Sequence, residues 1–593
     1  MERKRKHSVG ITMLAAMGIT ALVAGCGGAT NATNNTSSNA TASNNTASKS
    51  GVLSMYMIDD GHGFDPSLFS WEMYQDGMGI FEGLVHMGPN GSPVAGMAQS
   101  WNTSKNGLTW TFQLRNGIKF SNGDPITAQD FVYGFRRAVS PADSQSTKAG
   151  PAPITNIPLL NASAVRAGTK SDSALGIKAV NASTVEITLS RPDPGLLKAM
   201  SLPTSAWMVP LDKKVVSKMK PADWTNPSKI VSNGPYMLKS YTAKTQAILV
   251  PNPHYYKKVK LKEIKLWYSQ KTNQLLAFKN GSLDLAVLKA QDVSAVNKDS
   301  KLKSELHMTP TSAQYSFQVL PSKNKALLNV KVRKAFQMAI DRKAISKGVL
   351  KGTGTPAYGY WNPTWLDPWI KDNAITYNPS EAKKLMAQAG YPGGKGFPTV
   401  MLYTGNPSDQ VAQAIQQEWQ NTLGVKVVYK GEEWGQFLTD IKKQLPANEV
   451  GFGQTSTNAF YPSLELPTTK VDWLYNNGIV AGFIPPSQFQ NYYNIQNNKS
   501  IAPNKQMAQE AALQEKYLPS DIKQWMNEGL TAYKTNSQSM MKKFFIDAQK
   551  RAYTITVYTP LQPILVRSNV SGYHPNRMLL IDPPVWFGYL SKS

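Results

Sequence analysis

Along residues 108–115 apolar and polar positions alternate one by one. Leu108, Trp110, Phe112 and Leu114 stand against Thr109, Thr111, Gln113 and Arg115. A period of two is that of a strand buried on one face. Asn106-Gly107 and Asn116-Gly117 supply turns on either side, and Ile118 to Phe120 carries a second, shorter strand pattern. After Ser121-Asn122-Gly123-Asp124-Pro125, Thr127 is placed to cap a helix from Ala128 to about Val139. The stretch Ala98–Pro141 therefore predicts strand, turn, strand, turn and capped helix, with Trp110 and Phe112 in a core.

The same reading extends along the chain. Strands are predicted over Leu53–Ile58, over Leu175–Leu189 in two pieces around Asn181-Ala182-Ser183, and over Tyr236–Val250 as a hairpin closed by Pro251-Asn252-Pro253. Further strands fall at Ile264–Tyr268 and Leu283–Val287, either side of a helix Gln274–Lys279 with Gly281 as its C′ residue. A helix is expected near Trp71–Phe81. In Asn329–Leu350 the apolar spacing of Val332, Phe336, Ala339 and Ile340 predicts one long amphipathic helix. Asn378-Pro379-Ser380-Glu381 starts another, with Pro379 at N1, Glu381 placed to close a capping box and Gly390 at C′. The pattern strand (Thr399–Tyr403), helix ending at Gly424, strand (Val425–Tyr429) is β-α-β and favours a parallel pair.

A chain of 593 residues can bury a large core and form several domains. Hydrophobic residues make up 41% and charged residues 17%, as in a soluble globular body. The formal net charge is +26, of which residues 1–25 carry three. The excess comes from few acids (38) as much as from many bases (64), and the bases are scattered rather than arrayed on one helix, so nucleic-acid binding is set aside in favour of a basic surface outside a cell.

The single cysteine, Cys26, excludes an intrachain disulfide. Before it lie a charged segment, Arg3–His7, and an uncharged, mostly apolar stretch, Val9–Ala24, short for a membrane span. Leu22-Val23-Ala24-Gly25-Cys26 resembles a bacterial lipobox. The resemblance implies a signal peptide over 1–25, cleavage before Cys26 and diacylglycerol on its sulfur, which holds a protein at a membrane without spanning it. Residues 26–50, rich in Asn, Thr, Ser, Ala and Gly, read as a flexible tether.

Enzymatic motifs fail on spacing. None of the six histidines pairs with another at i, i+4, which removes a local zinc motif. Gly352-Thr353-Gly354-Thr355-Pro356-Ala357 fits G-x-G-x-x-A, yet it follows a helix and sets Pro356 where a phosphate-binding helix should grow. No Walker loop and no G-x-S-x-G elbow occurs. Carboxylates far apart in sequence and joined by the fold stay open as an enzymatic alternative. No cofactor and no metal is expected.

Beyond these patterns, Trp101, Gly107–Arg115 and Lys119–Val132 resemble the signature of the extracellular solute-binding proteins of peptide ABC importers. Further segments agree in order: Asn233-Gly234-Pro235-Tyr236 with Asn252–Tyr256, Gly281–Asp284, Val332–Ala335 with Ala339–Arg342, and Pro356–Tyr360. Within the peptide/nickel class the likeness is strongest to oligopeptide-binding lipoproteins. The resemblance implies an α/β, two-lobed, periplasmic-binding-protein-like fold of type II with an extra domain on the first lobe. By segment spacing, lobe 1 is expected over 51–83, 228–320 and 560–593, its added domain over 84–227, and lobe 2 over 321–559.

It implies no enzyme but a monomer that captures oligopeptides between closing lobes and hands them to the permease subunits of an ABC importer. A peptide-signal receptor without transport, or a binder of dipeptide, nickel chelate or sugar, is the alternative. The implied ligand-binding residues are Trp434, Asn458, Phe460, Tyr461, Tyr315, Tyr358 and Tyr360. In oligopeptide binders an Asp stands where this chain has Phe460, and it pairs with the peptide amine. Here another acid, such as Glu465 or Asp472, serves, or the ligand lacks a free amine at that point.

Overall fold

The computed structural model describes residues 50–57, 63–68, 77–140, 157–193, 195–202, 207–268, 273–311, 313–359, 373–441, 443–458, 516–535, 537–575 and 587–593, with 488, 491, 509 and 512. Cys26, Tyr360, Phe460 and Tyr461 lie outside them, as does most of the helix expected near Trp71.

The first strand, β1 (Val52–Tyr56), is followed by a hairpin of β2 (Val85–Met87) and β3 (Pro93–Ala95). A four-stranded antiparallel sheet comes next: β4 (Ala98–Thr103), β5 (Thr109–Leu114), β6 (Ile177–Asn181) and β7 (Thr184–Thr188), in the order β4-β5-β7-β6. Helix α1 (Ala128–Val139) packs on it. Trp110 and Phe112 are buried in the core between them, with Phe131 and Phe135.

Two local expectations change here. Ile118–Phe120 is not a strand: it folds back through Ser121–Pro125, and a lone bridge joins Lys119 to Pro125. The N–H groups of Phe120 and Ile126 bond within that loop, to Asp124 and Ile118, so no ladder extends from it. Thr127 does start α1, but its N–H and hydroxyl both donate to Asp130 Oδ2 at 2.8 Å, so the carboxylate one turn into the helix closes the cap.

A two-stranded pairing of Val570–Ser571 with Ser591–Lys592 stands apart, and the largest sheet among the described residues has twelve strands. Its strands are β8 (Tyr236–Thr242), β9 (Gln246–Pro251), β10 (Glu263–Trp267), β11 (Leu285–Val287), β12 (Leu306–Pro310), β13 (Ala313–Val319), β14 (Gly354–Pro356), β15 (Thr399–Thr404), β16 (Val427–Gly431), β17 (Glu449–Asn458), β18 (Thr554–Val566) and β1. The path runs β16-β15-β17-β13-β18-β11-β1-β10-β9-β8, with β12 and β14 also on β18. As the β-α-β pattern predicts, β15 and β16 are parallel.

Two strand lines carry the chain between the halves of this sheet. The segment 306–319, as β12 and then β13, pairs antiparallel with β18. The β12 part meets Leu561–Leu565, beside β11 and β1; the β13 part meets Thr554–Tyr558, beside β17. So β13 falls in the sequence segment 228–320 and yet is built into the sheet of residues 399–458. Two cores flank this ribbon, one around β1, β8, β9 and β10 and one around β13, β15, β16, β17 and their helices.

Helix α2 (Gln274–Lys279) packs near β11 in a smaller core of its own, α3 (Val330–Met338), α4 (Pro379–Gln388) and α5 (Gln410–Leu423) cover the second core, and α6 (Trp434–Asp440), α7 (Ser520–Lys534) and α8 (Gln538–Arg551) follow. The long helix expected over Asn329–Leu350 is broken after Met338. Asp341 takes extended-side backbone and accepts from the N–H groups of Lys343 and Ala344, which caps a new helical segment that continues as a π-turn over Ile345–Val349. Glu381 closes no capping box. Asn378 caps α4 by accepting from the Glu381 N–H, and the Glu381 carboxylate sits 3.7 Å from Lys384.

Candidate functional site

Strands β15, β16 and β17 run the same way, so their carboxyl ends share one edge of the sheet. In open α/β sheets this edge is where loops leave the backbone free to meet a ligand. Antiparallel β13 begins at the same edge, with Ala313 opposite Asn458 and Tyr315 opposite Ser456. The sequence-predicted Trp434, Asn458 and Tyr315 therefore come together at one end of one sheet.

Trp434 opens α6, three residues after β16 ends. It is 56% exposed, unusual for the largest apolar side chain, and Leu438 one turn later is also exposed. Gly405, just past β15, lets the indole approach: a Cβ there would run into Trp434 Cε3. The Gly405 N–H donates to Gln454 Oε1 on β17 at 2.9 Å. Phe437 lies beneath, its ring centre 5.3 Å from the indole. The indole thus has a fixed back and an open face.

Tyr315 is built differently. Only 8% exposed, it stacks on Tyr558 of β18 at 5.0 Å, and its hydroxyl donates to Asp409 Oδ2 at 2.5 Å. Asp409 caps α5 with its other oxygen, which accepts from the N–H groups of Val411 and Ala412. The Tyr429 hydroxyl accepts from the Asp409 N–H and donates to the Asn406 carbonyl. Burial and the Asp409 charge push the Tyr315 phenol well above its ordinary range, so it stays a donor. Tyr315 holds the 405–409 loop against the sheet ribbon and offers little open surface.

Tyr358 lies with another group. It follows β14, its carbonyl accepts from Gln549 Nε2 at 3.3 Å, and its ring sits 5.4 Å from the Arg342 guanidinium. It lines a small cavity with Gln337, Trp525, Gln549, Tyr553 and Thr554. Arg342 is fully buried and donates to the Thr556 and Gln337 carbonyls, and Arg333 donates to the Arg551 and Leu327 carbonyls. Arg342 braces β18 from behind, and Arg333 holds the end of α8 that leads into it. Glu418 of α5 accepts from the Asp341 N–H, and burial, with Asp341 nearby, pushes its carboxyl up to about 7.

Other motif segments are also scaffold. Asn233 exchanges two bonds with the Glu82 backbone, and Asn252 donates to the Gly234 carbonyl. The hydroxyls of Tyr255 and Tyr256 donate to the buried Glu82 carboxylate, which also meets His86 at 2.6 Å. Asp284 accepts from the Ser54 N–H and pairs with buried Lys592 at 2.7 Å. Sequence reasoning missed Asp409, Gln454 and Glu418. Asp409 had a faint signal, an acid directly before an apolar helical pattern; the other two had none.

Among the described residues no group of His, Cys, Asp and Glu could hold a metal ion, and no helix is long and apolar enough to cross a membrane. What the carboxyl edge offers is an open aromatic face, strand ends and a loop braced by buried hydrogen bonds, which is the chemistry of reversible binding.

The model of the bacterial extracellular solute-binding proteins, family 5, matches residues 92–466. The chain is 30% identical over 380 residues to the oligopeptide-binding protein OppA of Bacillus subtilis, spanning 61% of this chain and 67% of that one. It is 29% identical over 460 residues to the dipeptide-binding protein DppE of the same organism, spanning 74% and 80%. The fold matches the periplasmic murein tripeptide-binding protein MppA in its unliganded open form, with a TM-score of 0.69, 22% identity, and 92% and 98% of the two chains covered. The protein thus belongs to the family 5 bacterial extracellular solute-binding proteins. Its fold is the two-lobed α/β fold of the periplasmic binding proteins.

Proposed function

We propose that this protein is held outside the cell membrane by diacylglycerol on Cys26, captures oligopeptides between two closing lobes and delivers them to an ABC importer. The observation that supports this most is the exposed Trp434 face at the carboxyl edge of β15, β16 and β17, in a family whose relatives are named for oligopeptides and dipeptides. An extended peptide can bond its backbone to strand ends with little demand on its sequence, while aromatic walls and water receive varied side chains.

The ribbon of 306–319 against β18 serves as the hinge in this reading. Lobe 1 is 51–83 with 228–310 and 561–593, carrying the added domain 84–227, and lobe 2 is about 311–560. Closure then bends two strands near Thr311 and Pro560, which bond to each other through the Thr311 N–H. The closed, ligand-bound form is what a permease would select. Asn458, at the start of this junction, stays in the proposed ligand set with Trp434, Phe460, Tyr461, Tyr358 and Tyr360, while Tyr315 acts by positioning the 405–409 loop. With Phe460 in place of an acid, the cargo is peptide-like without a required free amine at that point, or a neighbouring carboxylate receives it.

Native mass spectrometry of the protein purified from its own host tests the reading. The expected result is a ladder of peptide masses carried with the chain. A single non-peptide mass overturns it.

A further inference from the structure

The bases of this chain are not evenly spread over the fold. Residues 236–267, which form β8, β9, β10 and their connections, hold seven lysines and one acid, Glu263. Lys244 sits in the β8–β9 turn, at the Trp267 end of the sheet. Of the other six, Lys257, Lys258, Lys260 and Lys262 lie at the opposite end, where β10 begins, and Lys239 and Lys265 lie midway along β8 and β10. Lys257, Lys258, Lys260 and Lys262 are exposed in the loop that leads into β10. Lys239 and Lys265 both reach Glu263, at 3.4 and 3.8 Å, which leaves the group strongly positive.

The position of this group is as informative as its charge. Strands β1 and β10 are parallel and begin side by side, Val52 opposite Glu263. The Gly51 carbonyl accepts from the Lys262 N–H at 2.7 Å, and the Lys262 side chain lies against Gly51. The first described strand therefore starts beside Lys262, at the margin of this lysine group. The carboxyl ends of β1 and β10, at Tyr56 and Trp267, point the other way.

We infer that this lysine edge rests on the anionic headgroup surface of the bilayer to which the chain is tethered. The inference uses the anchoring at Cys26 proposed above, but not the peptide reading. Residues 26–50 link Cys26 to this edge, and a flexible polar chain of that length in general has a root-mean-square reach of about 25–30 Å. Tethering on that scale keeps the edge at an effective concentration in the millimolar range, about where weak charge contacts become populated. Anionic lipid attracts clustered lysines within roughly a Debye length, about 8 Å at physiological salt. Docked this way, the body turns the amino ends of β1 and β10 to the membrane and their carboxyl ends to the outside.

Residue-resolved amine acetylation read by mass spectrometry tests this. The full-length protein is presented on phosphatidylcholine vesicles, with and without phosphatidylglycerol. The expected result is labelling of the six lysines reduced about threefold or more on the anionic vesicles at low salt, and restored at high salt. Exposed Lys383 and Lys426, far along the chain on elements that enclose the other core, stay unchanged. Replacing Lys257, Lys258, Lys260 and Lys262 by Gln should abolish the remaining protection of Lys239 and Lys265. Equal labelling on both vesicles overturns the inference. So does protection by soluble polyglycerol phosphate but not by vesicles, which would make a wall polymer the partner. An intact-mass measurement showing no diacylglycerol on Cys26 sinks the anchoring instead, and is read separately.

Discussion

Trp434 and Tyr315 were both expected to line a cleft, and the fold gives them different work. Trp434 has its back on Gly405 and Phe437 and its face in solvent, so it contributes little to stability. Trp434→Ala should lower unfolding free energy by less than about 1 kcal/mol, as at other exposed positions. It should weaken peptide binding by about tenfold or more, as loss of an aromatic anchor does, measured by calorimetry beside a urea titration. Equal loss in both would place the indole in the core. Tyr315 could not be told from a wall residue by sequence, because its partner Asp409 lies 94 positions away. A lone acid before a helix reads only as a cap. Trp110 and Phe112 were legible as core because alternation with polar neighbours fixes which face is buried.

Glu418 makes a prediction in pH. Its ordinary value is 4.5, and in the folded protein it rises to about 7, chiefly through burial. Between those values the folded state holds a proton that the unfolded state has released. The group's contribution is thus fully present below about pH 4.5 and is lost as pH rises through about 7. Glu418→Gln keeps an acceptor for the Asp341 N–H and removes the titration. Thermal denaturation across this window should show a flatter pH dependence for the variant than for the wild type. An identical slope would show that Glu418 titrates normally.

At the level of elements, local patterns located β1, β5 to β11, β15, β16, α1, α2, α4 and α5 within about two residues, and left β2 to β4, β12 to β14, β17, β18 and α6 to α8 unread. They failed where a side chain interrupts a favourable pattern. The apolar stripe of 329–350 suits one helix, and all four stripe residues are indeed buried. Yet Asp341 ends the run by capping a second segment, which swings Arg342 beneath β18. An acid in a helical pattern looks like a solvated position, and nothing local says that the next residue must reach the Thr556 carbonyl, 214 positions on. Asp341→Ala removes two accepted N–H bonds and should cost about 0.5–2 kcal/mol, as for other lost caps. A denaturant midpoint unchanged by Asp341→Ala would mean that the break is imposed by packing alone.

On the scale of the whole molecule, the resemblance located the class of fold, but not the way its halves are joined. Segment spacing set a border at 320, whereas β13 lies before that border and pairs with β17. Strand patterns are local, and pairing partners are not: β13 and β18 are more than two hundred residues apart in sequence. In the proposed function the two-line ribbon bends while each core stays intact, so capture by closure is the central claim. Small-angle X-ray scattering of one preparation, stripped of cargo and then saturated with a mixed oligopeptide pool, tests it most directly. The account predicts that the radius of gyration falls when peptide is added and recovers when it is removed. Peptide bound at saturation with an unchanged radius of gyration would contradict it.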